Sequence, residues 1–206
     1  MSAKPLTPDG RETRVVTIPL EMRAASNGEG LGTATGYAAL FNSSTDIGCY
    51  WRETILPGAF SKSLGERDVL AVHSHDRGRV IGRLKAGTLE LKEDSKGLYF
   101  SNVLPDTTDG RDLKVQIERG DICGMSFGFI ATKQEWDETV DPPHRSIIEA
   151  ELYEITYTAA PAYPDTEVGL RSLEHAKAEK REHNKAGALT RMAARRARLK
   201  QAERNI

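Results

Sequence analysis

Alternating apolar and polar residues recur along most of the first 160 positions and predict a mainly β structure. Segments with strand composition lie at 15–22, 37–41 and 69–75. Three further segments, RVIGRL, TLELKED and GLYFSNVL, are separated by turns at Gly87 and at Asp94–Gly97. Their spacing predicts an antiparallel meander.

Two segments have the pattern of helices. Pro57 and Gly58 precede AFSKSL, which predicts a turn and a short helix. Residues 106–120 predict a longer helix, with Asp109 as its cap and Gly120 as its stop. Two long strands follow, at 125–133 and 146–159. Because strands and helices do not alternate regularly, we expect a mainly antiparallel β domain with accessory helices, an α+β fold.

The charge is divided along the chain. The formal net charge is −1, but residues 174–206 hold ten Lys and Arg against four acids, a local charge of +6 that leaves −7 for the rest. A mean hydropathy of −0.50 with 38% hydrophobic residues indicates unpacked flanks around an ordinary core. We therefore predict a disordered arm at 1–14, a folded domain at 15–172 and a basic, helix-prone tail at 173–206.

Several classes of protein are disfavoured by the composition. No run approaches 18 apolar residues, and the N-terminus has no apolar core of a signal peptide. Cys49 and Cys123 fit neither a disulfide framework nor a metal site, which favours a reduced, intracellular chain. The basic run 191–198 has no aromatic residues for base stacking, so specific nucleic-acid recognition is not expected.

The segment GMSFG (124–128) matches the G-x-S-x-G pattern of serine hydrolases. The residues after it continue as a strand, whereas a nucleophile elbow requires a helix there. In a strand, Met125 and Phe127 face one side and Ser126 faces the other. Two interpretations stay open: the glycines leave space for a substrate backbone beside the Ser126 hydroxyl, or they accommodate a close neighbour in a core strand.

His73 and His75 lie two positions apart in VHSHD and share a face if the strand persists through them. Either imidazole suits a general base, because it titrates near neutrality. A metal site with Asp76 lacks a third ligand at a recognisable spacing, and a surface loop with two ordinary histidines is the plainer alternative. We expect no metal and no cofactor.

Glu154 interrupts an apolar face. If the strand at 146–159 is regular, Leu152, Glu154 and Thr156 share its more apolar side. A buried carboxylate must be paired or hydrogen-bonded. Its partner is either an arginine, in a structural salt bridge, or a histidine that it orients in a catalytic triad.

A series of motifs from Gly36 to Arg171 resembles the prohead proteases of tailed bacteriophages of the HK97 type. The motifs are GYAALFN, ILPGAF, VHSHD, IGRL, GTLEL, GLYF, LPDTTDGRDLKVQIERGDICGMSFGF and ELYEITYTAAPAYPDTEV. The resemblance implies a serine endopeptidase whose fold is similar to herpesvirus assemblin, an open, barrel-like β domain with surrounding helices. It also implies the catalytic residues His75, Ser126 and Glu154.

Other acids compete for the third position, namely Glu149, Glu151 and Asp76. The resemblance implies action inside the assembling prohead in the host cytoplasm, on the major capsid protein precursor or its scaffolding domain. Self-cleavage and a homo-oligomer fit the same role, and no membrane partner is expected. The basic tail would address the enzyme to a scaffold and be trimmed afterwards. Backbone N–H groups near Ser126, or an arginine such as Arg77 or Arg79, are candidates for contacting the oxyanion.

Two other functions remain open from the sequence. One is a non-enzymatic capsid-assembly or scaffold protein with a basic interaction tail, and the other is an esterase-type serine hydrolase. Loss of precursor processing on replacing Ser126 with alanine separates the protease from the first, and an assay with small esters addresses the second.

Overall fold

The computed structural model describes residues 10–24, 30–48 and 50–159, and most of them lie in strands. The strands are β1 (Glu12–Val16), β2 (Glu21–Arg23), β3 (Thr33–Leu40), β4 (Thr45–Ile47), β5 (Trp51–Ile55), β6 (Leu70–His73), β7 (Asp76–Arg83), β8 (Leu89–Glu93), β9 (Gly97–Val103), β10 (Gly124–Asp137) and β11 (His144–Thr158). The helices are α1 (Ser61–Glu66) and α2 (Thr108–Arg119). The predicted basic tail at 173–206, most of the predicted arm and Cys49 lie outside the described residues.

The strands form two sheets. The seven-stranded sheet runs in the order β1-β10-β11-β5-β4, and the β6–β7 hairpin joins it because β6 also pairs with β11. The four-stranded sheet has the order β2-β3-β9-β8. Most pairs are antiparallel, but β11 runs parallel to both β5 and β6. Neither sheet closes into a barrel, so the prediction of an open, mainly β domain with accessory helices is confirmed.

The core lies between the two sheets. Phe100 of β9 meets Tyr157 of β11 edge to face, with ring centroids 5.9 Å apart. Phe127 of β10 makes a similar contact with Phe60 at 5.8 Å. All four rings are fully buried, and each contributes roughly 1.5–3 kcal/mol by leaving water. This packing fixes β10, the strand that carries Ser126.

Two predicted strand groupings are wrong, because the chain changes sheets within them. The segment 15–22 contains the end of β1, in the large sheet, and the start of β2, in the small one. Pro19 lies between them, three residues after the last paired residue of β1, Val16. The first strand also starts at Glu12, inside the predicted arm.

The predicted meander of RVIGRL, TLELKED and GLYFSNVL likewise divides after its first strand. A tight turn pairs β7 with β6 in the large sheet, whereas β8 pairs with β9 in the small one. Residues 84–88 carry the chain from one sheet to the other.

Helix α2 begins and ends with recognisable caps. The N-cap is Thr107, whose hydroxyl accepts a hydrogen bond from the Gly110 amide at 3.2 Å, and not the predicted Asp109. Gly120 ends the helix in the left-handed conformation at φ 80°, as predicted. No helix in this described part of the chain has the length and apolar character needed to span a membrane.

Four buried charged residues tie β1 to the rest of the large sheet, and we call them the four-charge cluster: Glu12, Arg14, Glu53 and Arg145. Arg14 Nε donates to Glu53 at 2.7 Å, and Arg145 Nη2 donates to Glu12 at 2.8 Å. Burial alone would raise the pKa of the Glu12 carboxyl, but the guanidinium groups of Arg14 and Arg145 outweigh it and hold that pKa at about 2. The cluster is neutral overall, which permits its burial.

Replacing Arg145 with methionine is expected to lower the free energy of unfolding by about 3–5 kcal/mol, because Glu12 and Glu53 would then lose one of the two guanidinium groups that balance their charge in a buried site. Urea unfolding followed by circular dichroism measures the change. Arg52→Met is the matched control, since Arg52 pairs with Asp46 where both side chains are more than half exposed, and we expect a loss of about 0–1 kcal/mol. Equal losses in the two variants would contradict the role of burial.

The same cluster sets an acid limit. Because the pKa of Glu12 lies below its ordinary value of 4.5 in the folded state, its stabilising contribution is complete above that value. The contribution is lost as the pH falls from about 4.5 towards about 2.

Candidate active site

Ser126 lies on the face of β10 that points away from the core between the sheets. Within the antiparallel pair of β10 and β11, Ser126 is opposite Thr156 and Gly128 is opposite Glu154. The neighbours Met125 and Phe127 belong to the core, as the alternation predicts. Ser126 is fully buried, and its Oγ has no hydrogen-bond partner among the described residues.

A β-bulge in β11 directs Glu154 to the Ser126 face. Gly128 pairs with Glu154, but the next residue, Phe129, pairs with Leu152, so Tyr153 is an extra residue. The bulge reverses the alternation: Leu152 faces the core before it, and Ile155 faces the core after it. The expectation that Leu152, Glu154 and Thr156 share one face is therefore wrong, although Glu154 is buried, with 8% of its surface exposed.

His75 lies in the tight turn between β6 and β7. His73 pairs with Asp76, which leaves Ser74 and His75 as a two-residue connection with φ values of 53° and 59°. Positive φ at both central residues is the geometry of a type I′ turn, which glycine and asparagine usually adopt. The predicted common strand face of His73 and His75 is thus wrong. Holding two non-glycine residues in this region costs roughly 1–3 kcal/mol each, a strain that is concentrated at functional sites.

The turn places the His75 ring against the Glu154 carboxylate. Nδ1 of His75 is 3.0 Å from Oε1 of Glu154 and 3.5 Å from Oγ1 of Thr156. An ionised carboxylate only accepts hydrogen bonds, so His75 donates from Nδ1, and in the neutral form of the ring Nε2 carries the lone pair. This is the arrangement in which an acid orients a histidine as a general base.

Thr156 connects the two halves of the site. It is opposite Ser126 across the strand pair, where Cβ atoms lie roughly 4.5–5.5 Å apart. Its hydroxyl also approaches His75. The structure therefore forms the hydrogen bond between His75 and Glu154 and places Ser126 opposite Thr156 on the adjacent strand. Within the described residues, Ser126 and His75 form no hydrogen bond.

The glycines of GMSFG accommodate close neighbours. A Cβ on Gly128 would lie 3.1 Å from Cγ of Glu154, and one on Gly124 would lie 3.1 Å from the Val16 carbonyl oxygen of β1. At Gly124 and Gly128 the structure therefore agrees with the second interpretation of the motif, in which the glycines accommodate a close neighbour. Gly128 leaves space for the acid, and Gly124 leaves space for the neighbouring strand.

The other carboxylates that the sequence leaves open contact different groups. Glu151 pairs with Arg67 and accepts from the Tyr153 hydroxyl at 2.8 Å. Glu149 pairs with Lys62 at 3.3 Å. Asp76 accepts from the Gly78 amide.

His73 ends β6, His144 begins β11, and Cys123 lies between α2 and β10. Burial lowers the pKa of the His73 imidazole, and the charge of Arg79 lowers it further. His144 bonds Thr54 through Nε2 at 2.9 Å, near the opposite end of β11. Cys123 is exposed and donates to the Ala159 carbonyl oxygen at 3.6 Å. Among residues 10–24, 30–48 and 50–159, no group of three potential ligands is placed to hold a metal ion.

Two arginines follow His75 on β7. Arg79 Nε donates to Asp109 at 2.7 Å, which directs it towards α2. Arg77 Nε lies 3.3 Å from Oε2 of Glu154. The sequence leaves either an arginine or a histidine open as the partner of Glu154, and the structure gives it both. The sequence does not single out Arg77, for which the spacing from His75 in one hairpin is the only signal.

Comparisons with known proteins identify the family of the chain. A model of the caudovirus prohead serine protease family matches residues 19–181. The prohead protease of Enterobacteria phage HK97 is 34% identical over 118 residues, which cover 55% of this chain and 48% of that protein. The chain thus spans about half the length of this curated relative. No solved structure matches, so the likeness to herpesvirus assemblin stays an expectation.

The family match covers more than half of the chain and includes every residue of the described site, from His75 through Ser126 to Glu154. The chain belongs to the caudovirus prohead serine protease family.

Proposed function

We propose that this protein is a serine endopeptidase that cleaves capsid or scaffold precursor segments during maturation of a phage prohead. The observation that carries the proposal is the hydrogen bond of His75 Nδ1 to Glu154, formed beside Ser126 on one face of β10 and β11. The family match and the phage relative support a protease role in prohead maturation. The same role fits a site of action inside the assembling prohead in the host cytoplasm.

In the proposed reaction, Ser126 Oγ attacks the carbonyl carbon of the scissile peptide bond and transfers its proton to His75 Nε2. Glu154 accepts the hydrogen bond from Nδ1 and stabilises the imidazolium that forms. His75 then gives the proton to the leaving amine as the bond breaks. A water molecule, activated by the same imidazole, hydrolyses the acyl-enzyme and restores Ser126.

The buried position of Ser126 adds a structural requirement. The Ser126 side chain is fully buried in the free chain, so a substrate peptide can reach it only after the groups that cover it have moved. Such a movement fits an enzyme that is silent until it meets its substrate in the prohead. Self-cleavage and homo-oligomers belong to the same proposal, as does a guiding role for the predicted tail.

The direct test is incubation of the purified chain with the capsid protein precursor of the same phage, followed by mass spectrometry of the products. We expect one or a few defined bonds to be cut, and the serine to be labelled by a fluorophosphonate at Ser126. An intact precursor and an unlabelled serine, under conditions in which the prohead matures, would contradict the proposal.

Gly128→Ala is expected to lower kcat by about 10- to 100-fold. The new methyl group would displace Glu154, whose Cγ lies 3.1 Å from the Cβ position, and small displacements of a catalytic group have effects of this size. Cleavage of a peptide spanning a processed bond measures the change. Gly65→Ala is the matched control, since nothing lies within 4 Å of its Cβ position, and wild-type rates are expected there. A wild-type rate for Gly128→Ala would contradict the crowding argument.

A further inference from the structure

Arg77 holds the second oxygen of the carboxylate that orients His75. Its Nε lies 3.3 Å from Oε2 of Glu154, while Oε1 of the same group is 3.0 Å from His75 Nδ1. His75 and Arg77 flank the first residue of β7, so one hairpin supplies both contacts to the carboxylate.

The burial of the carboxylate makes this contact important. The Glu154 side chain is 10% exposed, whereas that of Arg77 is 49% exposed. With the hydrogen bond from His75 alone, Oε2 would have no partner. The Gly128 backbone packs closely against the Glu154 side chain. A buried carboxylate that lacks part of its pairing is free to rotate towards whatever donor it can reach.

We propose that Arg77 is a positioning residue for the triad: it fixes the rotation of the Glu154 carboxylate and balances its charge. The inference rests on the function proposed above. With neutral His75, the group of His75, Glu154 and Arg77 has a net charge of zero, and protonation of the imidazole makes it +1. Without the guanidinium, the resting group is −1, so an added proton on His75 meets less repulsion.

The experiment compares Arg77→Gln, Arg77→Lys and Arg83→Gln in cleavage of a peptide spanning a processed bond of the capsid precursor. We expect Arg77→Gln to lower kcat by about 10- to 100-fold with KM nearly unchanged. The acid limb of its kcat/KM profile should move to higher pH by about half a unit to one unit. Arg77→Lys should keep the wild-type acid limb, because it keeps the charge, and recover part of kcat.

Arg83→Gln is the matched control on the same strand. Arg83 is also ion-paired, but its partner is Asp68, so wild-type kcat and an unmoved acid limb are expected. Urea unfolding of each variant separates a loss of fold from a loss of positioning.

Two results would overturn the inference. The first is a wild-type kcat and acid limb in Arg77→Gln. The second is a loss of kcat that follows the urea midpoint while the acid limb stays in place, which would make Arg77 structural only. Ser126→Ala distinguishes these results from failure of the proposed function. If Ser126→Ala still cuts the peptide, the proposed function fails. If Ser126→Ala is inactive, a wild-type kcat and acid limb in Arg77→Gln refute only the positioning role.

Discussion

Ser126→Ala is expected to lower kcat for precursor cleavage by about 10⁶-fold, since the nucleophile and its partners act as a unit. The same change should leave the fold intact. Ser126 Oγ is buried without a hydrogen-bond partner among the described residues. Because the substitution removes this unsatisfied hydroxyl group, we expect the free energy of unfolding to rise by about 1 kcal/mol. Mass spectrometry of the precursor and urea unfolding measure the two effects.

Ser63→Ala is the matched control, because Ser63 is the other buried serine of the described ranges 10–24, 30–48 and 50–159. Its Oγ accepts a hydrogen bond from the Leu152 amide at 2.8 Å. We therefore expect the opposite pattern, with cleavage kept and stability lowered by about 1 kcal/mol. Processing of the same bonds by Ser126→Ala would show that Ser126 is not the nucleophile.

Local patterns in the sequence predict most of the regular structure around this serine. Alternation in β10 assigns Met125 and Phe127 to the core and Ser126 to the other face, as observed. Gly120 ends α2 because only a left-handed residue suits that position. These features depend on neighbours within a few residues, which the sequence displays directly.

The position of Glu154 depends on an irregularity that the sequence does not display. A period-two argument assumes a regular strand, and the extra residue Tyr153 reverses the face of everything after it. Glu154 is thus buried, as predicted, but it does not share a face with Leu152. Tyrosine and glutamate both occur in strands, so neither residue marks the bulge.

The turn at His75 is hidden for a similar reason. Tight hairpins are usually recognised by Asn-Gly or Asp-Gly pairs, and here Ser74 and His75 occupy the same positive-φ positions. The strain is part of the site, since it brings the imidazole to the β11 carboxylate. Long-range pairs are beyond local patterns altogether: Glu12 and Arg145 meet across 133 positions.

Glu154→Gln is expected to lower kcat by about 10⁴-fold, the scale on which the acid-to-amide change acts in other triads. A glutamine of the same shape can present an N–H to Nδ1 of His75 in place of the accepting Oε1. The imidazole would then carry its proton on Nε2, where it cannot take one from Ser126. The rate of peptide cleavage measures the loss, and KM should change little because the acid does not touch substrate.

The competing acids supply the controls for this assignment. Glu151→Gln weakens a pair with Arg67, and Glu149→Gln weakens a pair with Lys62, where every side chain is at least a third exposed. Exposed pairs contribute about 0–1 kcal/mol, so both variants should keep wild-type kcat and stability. A 10⁴-fold loss in either of them, with Glu154→Gln active, would move the orienting acid to that residue. It would also require His75 to leave the turn geometry seen here, because the present turn places Nδ1 on Glu154.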